Sequence, residues 1–256
     1  MNQQEKTPLL QIFRAALILA VPIALQNLLT SCGSLVDAIM IVPLGNAATA
    51  AVGVSGRFTF LLNVVAFGFC SGSATLISQY WGANDRGGIH HTYGVAASFS
   101  LVFSLLFAAV LRFFPHFCVG LFGPDPAVTE QAVEYVEILA FGIPFFMFSQ
   151  VTCAALRAVE KVNVPLISSF VSVAVNTFFN FCLIGGHFGF PALGIRGAAI
   201  ATALGAVVQA IIVLLFFLFS KNPVRCSPGE MFRLPKGFLL KFFKTAAPVL
   251  LNEGMW

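Results

Sequence analysis

PIALQNLLTSCGSLVD, residues Pro22–Asp37, lies inside an apolar segment long enough to cross a membrane, yet it carries Gln26, Asn27, Thr30, Ser34 and Asp37. At about 100° per residue, Gln26, Thr30, Ser34 and Asp37 fall within roughly 80° of one another on a helix. One face of a lipid-embedded helix is therefore polar and ends in a carboxylate. Such a group costs about 2.5–3.5 kcal/mol near the centre of a membrane helix on insertion scales, so it faces protein or water and has a task. Gly45, eight residues further on, opens a turn. At 1.5 Å per residue Asp37 is expected roughly 12 Å from the end of its helix, in one half of the bilayer rather than at its middle.

The rest of the chain carries the same signal. Of 256 residues 58% are hydrophobic and 9% charged, against about 25% charged in soluble domains. Apolar runs of about 20 residues recur throughout, as an all-α polytopic membrane protein requires, and the ten-residue alternation of a membrane β-barrel is absent. The expected spans run from about Phe13 to Leu44, Val52 to Ser78, Thr92 to Phe114, Pro126 to Leu156, Pro165 to Ile184 and Ala198 to Ser220. Pro22 is expected to kink the first. This gives a polar tail over 1–12, a six-helix lobe over 13–220 and a basic linker over 221–238. The start of a seventh helix follows over 239–256. The opening residues lack the basic and short apolar regions of a cleaved signal peptide.

Placing the N-terminus and every even-numbered loop on one side collects eleven basic residues: Lys6, Arg14, Arg86, Arg157, Lys161, Lys221, Arg225, Arg233, Lys236, Lys241 and Lys244. The opposite side receives Arg57, Arg112 and Arg196 with Asp125, Glu130, Glu134 and Glu137. The positive-inside rule then predicts a multi-pass inner or plasma membrane protein with a cytoplasmic N-terminus. The same asymmetry accounts for the net charge of +4 without a nucleic-acid partner.

Enzyme chemistry finds no support. The chain has no GxxxxGK[ST] loop, HExxH, GxSxG or CxxC. Its histidines (90, 91, 116 and 187) are expected in loops or at span ends, and its six cysteines read as small apolar residues. What remains are polar stripes on spans. The fifth carries Ser169, Ser172, Asn176 and Asn180 on one face, the sixth Thr202 and Gln209, and the fourth Gln150 with Arg157 at its cytoplasmic end. Beside one carboxylate such groups form an oxygen-rich setting for Na⁺, or a hydrogen-bonded one for a proton on Asp37. The plainer reading is interhelical glue, worth about 0.6 kcal/mol per bond, and it is preferred for Ser169, Ser172 and Gln209. Gly68 with Gly72, and Gly197 with Ala201 and Gly205, are expected to let helices approach closely. Most of the 29 phenylalanines are expected to face lipid.

An opening like LAVPIALQN recurs as AAPVLLNE over Ala246–Glu253, where Asn252-Glu253 stands opposite Gln26-Asn27. Two six-span halves related by a repeat are one known transporter pattern.

Five pieces stand in order: Pro22 followed by Asp37, PLGNAATAAVG after the first span, GFCSGSATLISQYWGAND closing the second, AALRAVEKVNVP after the fourth, and ALGIRGAAIATA opening the sixth. Together they resemble the multidrug and toxic compound extrusion (MATE) family, from about Phe13 to Trp256. The resemblance implies two six-helix lobes, of which this chain holds the first plus a stub. The second lobe would be supplied in cis, or in trans if the chain is complete. It implies antiport of amphipathic organic cations and drugs against Na⁺ or H⁺, with no cofactor. Asp37 matches the family's cation-coupling acid, and Asn176, Asn180 and Thr202 match its partners, the Na⁺ ligands if Na⁺ is the ion. Glu253 matches an acid of the second lobe. Gln26, Asn27, Thr30, Ser34 and Gln150 are the cavity candidates. Some members carry an acid where this chain has Asn180, which leaves the ion open. The alternatives are a lipid-linked saccharide flippase of the same superfamily, expected to need several arginines in its cavity, and a non-transporting membrane subunit.

Overall fold

The structure is a computed structural model that describes residues 9–123, 125–220, 222–225 and Lys244. Its long helices are α1 (Leu9–Ile41), α2 (Asn46–Gly82), α3 (Arg86–Phe113), α5 (Pro126–Ala158), α6 (Asn163–Gly185) and α7 (Ile195–Phe219), with a single short helix, α4 (Pro115–Gly120), before α5. Six helices among the described residues are long and apolar enough to cross a membrane. The chain is a multi-pass membrane protein. Pro22 lies within α1 and Pro144 within α5.

Hydropathy located the spans but clipped their ends. α2 begins at Asn46, so most of GNAATA is helix rather than turn, and α3 begins at Arg86, which leaves Ala83–Asp85 as the connection. His90 and His91 therefore belong to α3, not to a loop. Asp85 caps that helix by accepting from Gly88 N at 3.0 Å, filling one of the donors a helix start leaves open. The segment after α3 coils into α4, with Pro115 at its first turn. Among the glycines with positive φ, Gly45 (98°) turns the chain between α1 and α2, and Gly186 (72°) ends α6.

α5 is the central post. It packs against α2, α3, α4 and α7, while α7 lies between α5 and α6, and α1 is attached to α6 at the flank. Glycines set these approaches. A Cβ added at Gly197 would lie 2.6 Å from the Leu183 carbonyl oxygen, at Gly142 3.1 Å from Ala203 Cα, and at Gly205 3.2 Å from Asn176 Cβ. On α1, Gly33 sits against Val173 of α6, where an added Cβ would be 3.0 Å away. Small residues of this kind replace the hydrophobic drive that lipid removes. Gly68 and Gly72 are buried in α2.

Consecutive helices α1 and α2 barely touch. They stand apart, and the space between them becomes a cavity floored by α5, α6 and α7. Beyond α7, Asn222–Arg225 folds back on the lobe. Val224 is buried, its N–H donates to Asn222 Oδ1 at 3.1 Å, and His90 Nε2 donates to the Pro223 carbonyl oxygen at 3.2 Å. Glu253 and the recurrent segment around Pro248 lie outside the described residues.

Candidate functional site

The cavity has a volume of about 1610 Å³ and is lined from all five of these helices. Gln26, Asn27, Thr30, Ser34 and Asp37 of α1 all line it, as does Gln150 of α5. The polar face read from their spacing is thus turned into the cavity. Thr30 and Ser34 donate to carbonyls one turn back, Thr30 to Gln26 at 3.0 Å and Ser34 to Thr30 at 3.1 Å. Their remaining lone pairs stay available in the cavity, since a hydroxyl accepts as well as donates.

At the end of the cavity nearer the close of α1, Asp37 meets α6. Asn180 donates from Nδ2 to Asp37 Oδ1 at 2.6 Å and also reaches Asn176 Oδ1 at 3.3 Å. Asn176 Nδ2 donates to Thr202 Oγ1 of α7 at 3.4 Å, and Thr202 donates to the Ala198 carbonyl at 3.0 Å. The four residues form one hydrogen-bonded chain across three helices. Asn176 and Asn180 come together because they are one helical turn apart on α6. Thr202 reaches them because Gly205, one turn further along α7, lets that helix lie against Asn176 and Ser172.

Two features here were not read from the sequence. Tyr135, on α5, stands beside Thr202 and lines the cavity although nearly buried. It is one of only three tyrosines, and a phenol inside an apolar span was the available signal. The second feature is an orphan: Asn180 Oδ1 is buried with no hydrogen-bond partner among the described residues. No group of three or more His, Cys, Asp or Glu among the described residues could hold a metal ion. A cation here would be met by one carboxylate with amide and hydroxyl oxygens, the hard donors an alkali cation takes.

Eleven residues back along α1, about 16 Å at 1.5 Å per residue, lies a second polar knot. Gln26 donates from Nε2 to Ser169 Oγ at 2.8 Å, Gln209 Nε2 donates to the same oxygen at 3.3 Å, and Arg157 Nη1 donates to Gln26 Oε1 at 3.1 Å. Ser169 and Gln209 tie helices together here, as their plainer reading held, and Ser172 does likewise by donating to the Gly205 carbonyl at 2.8 Å. Arg157 stands in the last turn of α5, the span end where the sequence reading put it, and the structure adds that it lines the cavity.

Phenylalanines 58, 60, 67, 107 and 146 line the cavity, whereas Phe113, Phe117 and Phe219 are among the most exposed and face outward from the bundle. At the Asp37 end of the lobe the basic residues are all engaged. Arg196 forks onto Glu134 at 2.9 and 2.6 Å, Arg112 lies 3.3 Å from Glu137, and the Arg57 guanidinium sits 4.9 Å over the Phe122 ring.

Six membrane-length helices around a large, mostly apolar cavity, with a half-buried carboxylate on its wall, define a membrane protein of transporter type. The chain belongs to the MatE family, whose family model matches residues 22–182, and whose members are transporters rather than enzymes. It is 27% identical over 254 residues to the probable multidrug resistance protein YoeA of Bacillus subtilis (strain 168), covering 98% of this chain and 54% of that one. It is 26% identical over 225 residues to the multidrug resistance protein MdtK of Yersinia pestis (strain Pestoides F), covering 88% and 48%. The chain spans about half the length of the curated relatives it matches. Among solved structures, a MATE in complex with MaD3S superposes with a TM-score of 0.85 at 21% identity, over 93% of this chain and 53% of that one. A MOP superfamily transporter from Pyrococcus furiosus Vc1 (DSM3638) gives 0.84 at 21%. At these identities the structural likeness speaks to fold.

Proposed function

We propose that residues 13–220 form the first lobe of a cation-coupled antiporter that exports amphipathic organic cations and drugs. In this reading 221–238 link it to a second lobe beginning at 239–256, and the N-terminus is cytoplasmic. The observation that carries the reading is the run Asp37–Asn180–Asn176–Thr202 on the cavity wall. A carboxylate held by a carboxamide in a membrane cavity can exchange its charge state for a cation without unfolding anything around it. Na⁺ would be taken by Asp37 with the orphan Asn180 Oδ1, Asn176 Oδ1 and Thr202 Oγ1. A proton on Asp37 would instead make it a donor, and a half-turn of the Asn180 carboxamide presents Oδ1 to accept. Gln26, Asn27, Thr30, Ser34 and Gln150, with the phenylalanines of the wall, would contact the substrate. Family membership and the relatives named for multidrug resistance support this reading.

The test is efflux by the whole transporter in everted vesicles, driven in turn by an imposed Na⁺ gradient and an imposed pH gradient. One of the two should drive dye accumulation, and Asp37→Asn should abolish it while the protein still inserts. Wild-type accumulation by Asp37→Asn would overturn the assignment. Arg157 on the cavity wall is the one observation that leans towards the flippase. A diphosphate needs several cations, however, and Arg157 is the only arginine among the described lining residues.

A further inference from the structure

We infer that Arg157 is an anion subsite of the cavity, the residue that selects for a carboxylate on an amphipath carrying a cationic centre. The inference rests on the exporter reading and names a specificity-determining residue for it.

A last-turn arginine is ordinary at a helix C-terminus, where it complements the helix dipole. Arg157 is different in where its fork goes and in what meets it. The side chain is half-buried and turned onto the cavity, and Gln26 takes one of its N–H groups. No carboxylate among the described residues lies within ion-pair distance of it, whereas Arg112 and Arg196 each have one. Glu160 lines the same mouth without forming an ion pair with it among the described residues. A guanidinium carries five donors; among the described residues that of Arg157 meets one neutral carboxamide, and its other donors open onto the cavity.

The surroundings also aim it. Gln26 Nε2 is committed to Ser169, which Gln209 holds from the other side. The Oε1 end of Gln26 must therefore face Arg157, and that fixes the orientation of the planar fork. A preoriented fork with unused N–H groups suits the two oxygens of a carboxylate. Trp81, in the last turn of the parallel helix α2, lines the same cavity and offers an apolar ring for the body of such a molecule.

The test uses the whole purified transporter and two dyes that share one ring system, rhodamine B with its free carboxylate and its cationic ethyl ester, with binding read by fluorescence polarisation. The readout is the ratio of the two affinities. Arg157→Gln should lower the rhodamine B to ester ratio by about tenfold, the scale of one lost charge-assisted hydrogen bond. Arg157→Lys should recover part of it. Gln26→Glu, nearly isosteric, fills the subsite from within and should lower the ratio as well, which guards against misfolding of the arginine variants. An unchanged ratio in Arg157→Gln and Gln26→Glu, even with both dyes weakened alike, would overturn the subsite and leave the exporter reading standing. If the wild type binds neither dye and extrudes no ester in vesicles, the exporter reading itself fails, and the subsite with it.

Discussion

Asn180 holds the Asp37 carboxylate at 2.6 Å with one end of its carboxamide and leaves the other end buried without a partner among the described residues. A buried acceptor with nothing to accept costs about 1–3 kcal/mol, so the pair is set to gain from an arriving cation. Asn180→Asp would place a second carboxylate against Asp37. Two such groups cannot both stay ionised at contact without a counter-charge. The expected outcome is a lower half-saturating Na⁺ concentration, read as Na⁺-dependent protection against thermal unfolding. An unchanged Na⁺ response would argue that Asn180 does not face the ion.

Tyr135 stands beside Thr202 at the far end of the same run. Tyr135→Phe keeps the ring packing and removes the hydroxyl beside Thr202, a change worth at most about 0.5–1.5 kcal/mol, the scale of one neutral hydrogen bond. Cation-driven efflux should persist with a few-fold higher half-saturating cation concentration, and the unfolding temperature should hardly move. Complete loss of transport would assign the phenol a larger part than support.

The glycines divide into those pressed by a neighbour and those in open space. Gly197→Ala forces a methyl group onto the Leu183 carbonyl, and overpacking of this kind costs about 1–3 kcal/mol. Gly53, also helical, has nothing within 4 Å of an added Cβ. Gly53→Ala should keep or raise the unfolding temperature in detergent, and Gly197→Ala should lower it. Equal effects would show that α6 and α7 are not packed as described.

Orientation has its own readout. In a background with the six cysteines replaced, single cysteines at Asn46 or His187 should react with a membrane-impermeant maleimide on intact cells. Cysteines at Asn84 or Lys161 should react only after permeabilisation. The reverse pattern would invert the topology and put Asp37 in the cytoplasmic half.

The spans were legible because lipid demands about 20 apolar residues in a row, a demand that shows in any single segment. Their ends were not. Asn46, Arg86 and Arg157 all lie in helices that outrun their apolar stretch, because backbone hydrogen bonding continues where side-chain hydropathy has changed sign. The candidate site was legible in halves. Spacing put Asn176 and Asn180 on one face of α6, and Gln26, Thr30, Ser34 and Asp37 on one face of α1. The MATE resemblance joined the two sets.

By itself, then, the sequence determined the helical membrane class, the approximate spans and which side chains share a helix face, since each depends on residues within a few turns of one another. Only the tertiary structure decided that Asn180 bonds Asp37 across 143 positions, that Tyr135 lines the cavity beside them, and that Arg157 turns into the cavity onto Gln26. Those contacts depend on how closely α1, α5, α6 and α7 approach, which Gly33, Gly142, Gly197 and Gly205 set by the side chains they lack.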